Sequence, residues 1–445
     1  MPDQKCFYIR TFGCQMNVHD SEQMEELLKD RGYQRTTDEK KADLIIVNTC
    51  CIREKAEQKA YSLLGRFRRL KQLNPDLIIG MGGCLAQQLG SALFKKAPYV
   101  DMVFGTHNIH RLPEMIQYVE YNRSRVVETS FHESVKSLGI RTLPDNGCIS
   151  SCVTIMQGCN NFCSYCVVPY VRGREESRDS EDIINEIKFL TDRGVKEVTL
   201  LGQNVNSYGK TLQNGSDFPT LLKRVADIEG IERIRFTTSH PKDLSDELIE
   251  CYATVNQLCE HIHLPVQSGS DYILKSMNRH YTFEDYIRKV GKLRETCPDI
   301  SITSDIIVGF PGEKDSDFQK TIDLVEKVRF DSTFSFKYSF RSGTSAERFD
   351  NKVEEGVKRQ RLSILQSLQE KYTLENNKAL EGNVEDVLVE GFSKNDRTDV
   401  TGRTRTNRIV NFRGDIGMVG KTVSVKIIKA YAHSLRGEMI SKERN

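Results

Sequence analysis

Apolar residues along the first 120 positions fall into short runs that alternate with stretches of helical period. KCFYIRTFGC (5–14), ADLIIVNTC (42–50), DLIIGMGGC (76–84) and VDMVFG (100–105) read as strands. Each is followed by an amphipathic stretch: SEQMEELLKDRG, EKAEQKAYSLLGRFRRLKQL, LAQQLGSALFKKA and HRLPEMIQYVE. Strands alternating with helices of this length predict βαβ units and a parallel sheet. The expectation is an N-terminal doubly wound domain over 4–121.

The next stretch, 122–147, has no clear period and ends in Pro144, Asn146 and Gly147, so it reads as a linker. Alternation resumes with CVTIMQGC, VKEVTLLGQNVN, IERIRFTTSHP, HIHLPVQSGS, SITSDIIVGFPGE and STFSFKYSF, separated by helical patterns. Six such repeats predict a partial (β/α)6 barrel over 148–375, with chemistry at the C-terminal ends of its strands. After the charged helix VEEGVKRQRLSILQSLQEKYTLENNKA the texture becomes β-rich and turn-rich, which predicts a small all-β barrel over 378–441. The chain is thus α/β and multidomain.

Charge changes this picture only locally. Sixty-four basic against 62 acidic residues give a formal charge of +2, which does not mark the whole chain as a nucleic-acid binder. Between 391 and 436, however, ten Lys or Arg stand against three Asp or Glu, so the C-terminal module is basic. MPDQKCFYIRTFGC lacks the pattern of a secretory signal, and no stretch approaches the roughly 18 apolar residues of a membrane span. The expected setting is soluble and cytoplasmic, without membrane contact. In that reducing compartment 13 cysteines spread over a long chain point to metal ligation or catalysis before disulfides.

In CNNFCSYC, Cys159, Cys163 and Cys166 can fold around one centre, and soft thiolates favour iron–sulfur or zinc over magnesium or calcium. A structural zinc site needs a fourth ligand, and none lies nearby in sequence. Three buried structural cysteines are the competing reading. The triplet follows the strand CVTIMQG and so belongs to the loop at its C-terminal end, while three ligands on a four-iron cluster would leave one iron open. With Tyr165 just before its last cysteine, the motif resembles that of the radical S-adenosylmethionine (radical SAM) enzymes. In that family the open iron binds the amino and carboxylate groups of S-adenosylmethionine, and an electron splits it into methionine and a 5′-deoxyadenosyl radical. The resemblance implies that strand-end loops hold the cofactor, with Gln203, Ser239, Gln267 and Asp305 as candidates; each also fits an ordinary turn or satisfied polar group.

Cys14, Cys50 and Cys84 stand at the ends of the first three predicted strands, where ligands of open parallel sheets bind, and should converge. The alternative is that one or two are simply buried. Cys51 competes with Cys50, which stands directly at the strand end and is preferred. TFGCQMN, VNTCCIREKA and GGCLAQ together with GCNNFCSYC closely resemble the methylthiotransferase branch of the radical SAM family, over essentially the whole chain and including a C-terminal RNA-binding barrel of the TRAM type. GCQMN followed by NTCCIREKA is similar to the bacterial enzymes that modify isopentenyladenosine at tRNA position 37, beside the anticodon. The branch acting on a ribosomal-protein aspartate reads GCPKN there, and that acting on threonylcarbamoyladenosine reads GCKVN.

The resemblance implies replacement of the C–H at adenine carbon 2 by C–S–CH3, with two S-adenosylmethionine consumed per product. It implies two 4Fe-4S clusters, an auxiliary one on Cys14, Cys50 and Cys84 and a radical-generating one on Cys159, Cys163 and Cys166. Implied partners are the tRNA, an electron donor such as flavodoxin or ferredoxin, and an iron–sulfur or sulfur delivery protein; a monomer is expected.

In TGRTRTNRIV, Arg403 and Arg405 would share a strand face, with Arg408 beyond, and basic groups supply phosphate attraction. Phe392 and Phe412 are candidates for stacking bases; a solvated basic surface with two core phenylalanines is the alternative. A non-enzymatic iron–sulfur RNA-binding regulator is the competing class, and it would release no 5′-deoxyadenosine.

Overall fold

The computed structural model describes residues 4–51, 54–132, 147–213, 215–394 and 396–440. Strands β1 (Cys6–Phe12), β2 (Gln34–Arg35), β3 (Leu44–Thr49), β4 (Ile78–Gly82), β5 (Met102–Phe104) and β6 (Val126–Glu128) form one parallel sheet in the order β2-β1-β3-β4-β5-β6. Helices α1 (Gln15–Asp30), α2 (Glu54–Leu73), α3 (Cys84–Leu89), α4 (Leu93–Lys96) and α5 (Leu112–Asn122) cover both faces. Met24, Leu28 and Ile116 pack with Phe7 and Ile46 on one side, and Leu63, Phe67 and Leu85 with Ile45, Val47 and Ile79 on the other. Every residue of β3 and β4 is buried, which is why these strands read as unbroken apolar runs. The strand order turns between β1 and β3, and the C-terminal crevice at such a point is where ligands bind.

Three details differ from expectation. α1 begins at Gln15, six residues earlier than the periodicity indicates, because its first turns bury the polar side chains Asn17, His19, Asp20 and Ser21, which mask the pattern. β2 is a two-residue edge strand with both residues exposed, so no apolar signal marks it. β6 lies within the stretch read as a linker; Val126 and Val127 pair with β5 and extend the sheet. Residues 133–146 of that stretch lie outside the described residues.

The central unit contains β7 (Ser150–Thr154), the short antiparallel pair β8 (Met156–Gln157) and β9 (Glu176–Ser177), then β10 (Glu197–Leu201), β11 (Arg233–Thr237), β12 (His261–His263), β13 (Ser301–Val308) and β14 (Ser332–Lys337). Its six barrel strands form two parallel triplets, β7-β10-β11 and β12-β13-β14, bridged between Ile234 and Leu258. This is the expected partial (β/α)6 barrel. α6 (Val168–Arg172) follows the cysteine loop, and α7 (Ser180–Thr191), α8 (Phe218–Ala226), α9 (Asp246–Thr254), α10 (Asp271–Ser276), α11 (Phe283–Thr296), α12 (Asp315–Val328) and α13 (Glu355–Lys378) complete the helices. Asp179, Asp217, Ser245 and Thr282 accept first-turn N–H groups and so start four of them. Outward residues such as Val198, Leu200, Ile234, Phe236, Ile302 and Ile306 form the core beneath these helices. Alternate residues of the strands are mostly polar or charged, among them Cys152, Thr199, His263 and Asp305, and this alternation turns them to the lumen.

β15 (Val384–Phe392), β16 (Asp399–Thr404), β17 (Ile409–Arg413), β18 (Thr422–Ala430) and β19 (Leu435–Met439) close into a barrel in the order β15-β16-β17-β19-β18, as expected for the C-terminal module. It caps the N-terminal ends of the central strands. Arg233 donates to the carbonyls of Arg403 and Asp386, and Arg235 to those of Thr404 and Arg405.

Candidate functional site

Cys159, Cys163 and Cys166 occupy the loop after β8, at the C-terminal end of the first barrel strand. Gly158 turns the chain into this loop at φ +78°; a Cβ there would meet the Arg174 carbonyl oxygen at 1.9 Å. The loop is clamped from outside. Ser164 N donates to Met277 O (3.0 Å), Ser164 Oγ to Ser276 O (2.7 Å), and Asn278 Nδ2 to the carbonyls of Asn161 and Phe162. Arg279, buried, reaches Cys163 Sγ and the Tyr165 hydroxyl, each at 3.4 Å, while its other arm donates to Pro265 O at 2.7 Å. Burial pushes the Cys159 thiol up to about 11 and the Cys166 thiol up to about 12, so both stay protonated until a cation replaces the proton.

The four expected cofactor residues divide. Gln203 Oε1 accepts from Gly158 N at 2.5 Å, which ties the end of β10 to the cysteine loop. Ser239 Oγ and Gln267 Oε1, beyond β11 and β12, are buried without a hydrogen-bond partner. Asp305 is in the middle of β13 instead of a strand-end loop, 3.6 Å from His263 Nε2; the glycine-rich run that marked the loop begins only after Val308. Sequence reasoning missed Thr154 Oγ1, Gln157 Nε2 and Asn204 Oδ1, also buried and unpartnered at the same strand ends. Their signal was available, since each lies within five residues of the cysteine motif or next to Gln203. Buried polar atoms left unpaired are costly, and several gathered at one end of a barrel mark a place for a polar ligand.

Cys14, Cys50 and Cys84 stand at the ends of β1, β3 and β4, which are neighbours in the sheet. Cys14 caps the N-terminus of α1, Cys50 follows β3, and Cys84 opens α3. Gly13 permits the close approach: a Cβ there would lie 2.7 Å from Cys50 Cβ. The hydrogen-bonded Cys50 thiol pulls Cys14 down to about 6 against burial, with the Arg172 charge helping. Cys84 is lowered in the same way by Cys51 and then by Arg172, and the Cys51 thiol is raised by its bond to Cys84. Two sulfur pairs therefore stand side by side, Cys14 with Cys50 and Cys51 with Cys84. Beneath them runs a polar network the sequence did not single out: Asn17 Oδ1 accepts from Cys14 N and Sγ (both 3.4 Å), and Asn48 Nδ2 donates to Asn17 O and Ser21 Oγ (both 2.8 Å). No disulfide joins any cysteine. Among the described residues no three His, Cys, Asp or Glu converge closely enough for a single metal ion; a four-iron cube holds its ligand sulfurs farther apart.

The C-terminal barrel corrects part of the expected RNA surface. Arg405 is spent on the Glu260 carboxylate (2.6–2.9 Å) and the carbonyls of Asn256 and Leu258, Arg408 on Asp331 and Asn377, and Arg403 on Glu390 and Asn407. β16 ends at Thr404, so Arg403 and Arg405 do not share one strand face, and Arg405 turns to the central barrel. Phe412 is fully buried, because alternation along β17 points it into the barrel core with Val400 and Val410. Phe392 is 43% exposed at the end of β15, and Lys394, Arg397 and Arg413 nearby in the strands and turns are exposed. No helix among the described residues is long and apolar enough to cross a membrane.

Three family descriptions match the chain in succession: Uncharacterized protein family UPF0004 over 6–105, the Radical SAM superfamily over 153–325 and the TRAM domain over 378–440. A protein of Syntrophus aciditrophicus named tRNA-2-methylthio-N(6)-dimethylallyladenosine synthase is 62% identical over 441 residues, covering 99% of this chain and 96% of its own. One of the same name from Clostridium botulinum is 52% identical, covering 98% and 97%. Among solved structures, a radical S-adenosylmethionine methyltransferase from Kitasatospora setae, holding tryptophan and an S-adenosylmethionine analogue, shares the fold with TM-score 0.59 at 16% identity, covering 78% of this chain and 75% of that one.

Proposed function

Because the chain belongs to the family of tRNA-2-methylthio-N(6)-dimethylallyladenosine synthases, radical SAM methylthiotransferases, we propose how its two cysteine groups share that reaction. The enzyme transfers a methylthio group to the dimethylallyl (isopentenyl) adenosine of tRNA, at carbon 2 of the base, position 37. The family works with a 4Fe-4S cluster and S-adenosylmethionine. The finer assignment is two clusters, one on Cys159, Cys163 and Cys166 and an auxiliary one on Cys14, Cys50 and Cys84, with two S-adenosylmethionine used per product.

The residues fit these groups. The central loop carries three cysteines, and Ser239, Gln267 and Gln157, at strand ends of the same barrel, carry buried unpaired polar atoms. When bound, the clusters and S-adenosylmethionine supply one-electron cleavage of a carbon–sulfur bond at one site and a transferable sulfur at the other. The chain's own part is orientation and exclusion of water. Gln203 fixes the turn into the loop through Gly158, and Arg279 lays a positive charge against Cys163. Ser239 and Gln267 have free oxygens for the amino and hydroxyl donors of the cofactor. Asp305, held by His263 in the lumen, reads as a group facing the adenosine end of a ligand. At the tRNA end, Phe392 offers an exposed ring for stacking and Lys394, Arg397 and Arg413 offer charge to phosphate. An electron donor such as flavodoxin or ferredoxin and a sulfur delivery protein complete the cycle.

The observation that carries the two-site reading is the convergence of Cys14, Cys50 and Cys84 at adjacent strand ends over a buried amide network. Mass analysis of tRNA nucleosides from a strain lacking the gene tests the substrate. Unmodified isopentenyladenosine should accumulate and this chain should restore the methylthio form; an unchanged tRNA with a ribosomal-protein aspartate left unmodified would overturn it.

A further inference from the structure

Arg172 lies six residues after Cys166, yet its side chain belongs to the other cysteine group. It ends α6, whose Val171, with Val167 just before the helix, sits in the N-terminal core with Cys51 and Cys84. Thr106 Oγ1 donates to Val171 O (3.1 Å), and His107 Nε2 lies 3.0 Å from Arg172 O. The next residue, Gly173, returns to the central loop, where its carbonyl accepts from Cys159 N at 3.2 Å. One short segment is therefore pinned to both sites.

The guanidinium is 3% exposed, and Nη2 donates to Asp20 Oδ2 at 2.5 Å, itself buried on α1 six residues after Cys14. Nη1 is buried with no partner. A charged donor sealed from water needs an acceptor, and besides Asp20 and His107 the groups on which its charge acts include the thiols of Cys14 and Cys84. Hydrogen bonds and charge at the sulfurs are what set the potential of an iron–sulfur cluster.

We propose that Arg172 is a positioning residue of the auxiliary cluster: Asp20 holds one arm of its guanidinium while Nη1 donates to a cysteine or sulfide sulfur, compensating cluster charge and tying that site to the radical-generating loop. This rests on the assignment of an auxiliary cluster to Cys14, Cys50 and Cys84.

The test uses the full chain with Cys159, Cys163 and Cys166 all replaced by alanine, so that the remaining cluster reports alone in an EPR-monitored redox titration. Arg172→Gln should lower its midpoint potential and shift the EPR g values. Arg172→Lys, which keeps the charge, should recover most of the potential shift, and Asp20→Asn should move the potential the opposite way. A loaded Arg172→Gln cluster with unchanged potential and spectrum overturns the proposal and leaves Arg172 a structural brace. If Arg172→Gln does not load iron, unchanged potentials in Arg172→Lys and Asp20→Asn overturn it equally. Absence of iron in the parent triple variant would instead refute the auxiliary site itself, and this inference with it.

Discussion

Cys50 and Cys51 are neighbours in sequence but meet different sulfurs, Cys50 against Cys14 and Cys51 against Cys84. Both are buried, so exposure does not separate them. Position does: Cys50 follows β3 directly and lies against Gly13, where a Cβ would meet Cys50 Cβ at 2.7 Å, beside Cys14, whereas Cys51 stands one residue further from the strand end. Cys50→Ala should therefore lose one of the two clusters, about half the bound iron, while Cys51→Ala keeps the full complement. Iron and sulfide analysis of anaerobically reconstituted protein decides between them. Where the six cysteines lie in the fold was legible, Cys14, Cys50 and Cys84 because each follows a strand and Cys159, Cys163 and Cys166 because their shared loop follows one; a strand end is visible as a change from apolar run to glycine or helix. What surrounds them was not: Asn17, Asn48, Asp20 and Arg172 are ordinary polar letters in sequence, and only the fold shows that they are buried together.

At the level of elements, buried parallel strands were the easiest to foresee and short edge strands the hardest. β3 and β4 carry apolar residues on both faces and announce themselves, whereas β2 and β6 pair on one side only and need no continuous apolar run. The C-terminal barrel shows the opposite difficulty, since its strands were foreseen but their facing was not. Alternation puts Phe412 inside and leaves Phe392 at a strand end in solvent. Phe412→Ala should destabilise that barrel by about 3–5 kcal/mol, as measured by denaturant unfolding. Phe392→Ala should leave stability unchanged and weaken tRNA binding by ~1–3 kcal/mol in fluorescence anisotropy, the value of one base–aromatic stack.

Across the whole molecule, the three units are joined by charge. The N-terminal domain is fastened to the barrel by the buried pair Arg172–Asp20 and by Arg341–Glu57, and the C-terminal barrel by Arg405–Glu260 and Arg408–Asp331. Arg405 and Arg408, expected as RNA ligands, are thus interface groups, while Arg403 pairs within its own barrel with Glu390, a distinction no single-sequence pattern carries, because the carboxylate partners lie up to 145 residues away. Arg405→Ala leaves Glu260 and two carbonyls without their donor and should cost about 2 kcal/mol, seen in calorimetry as earlier unfolding of the C-terminal barrel.

On the proposed division each cysteine group has its own task, and one assay reads both. The reduced, reconstituted full chain is incubated with S-adenosylmethionine and tRNA bearing isopentenyladenosine, and 5′-deoxyadenosine and methylthio nucleoside are quantified together. Cys159→Ala, Cys163→Ala or Cys166→Ala should abolish both products. Cys14→Ala, Cys50→Ala or Cys84→Ala should still release 5′-deoxyadenosine but form no methylthio nucleoside. A variant of the first group that still cleaves S-adenosylmethionine, or one of the second that still methylthiolates the tRNA, would contradict the division.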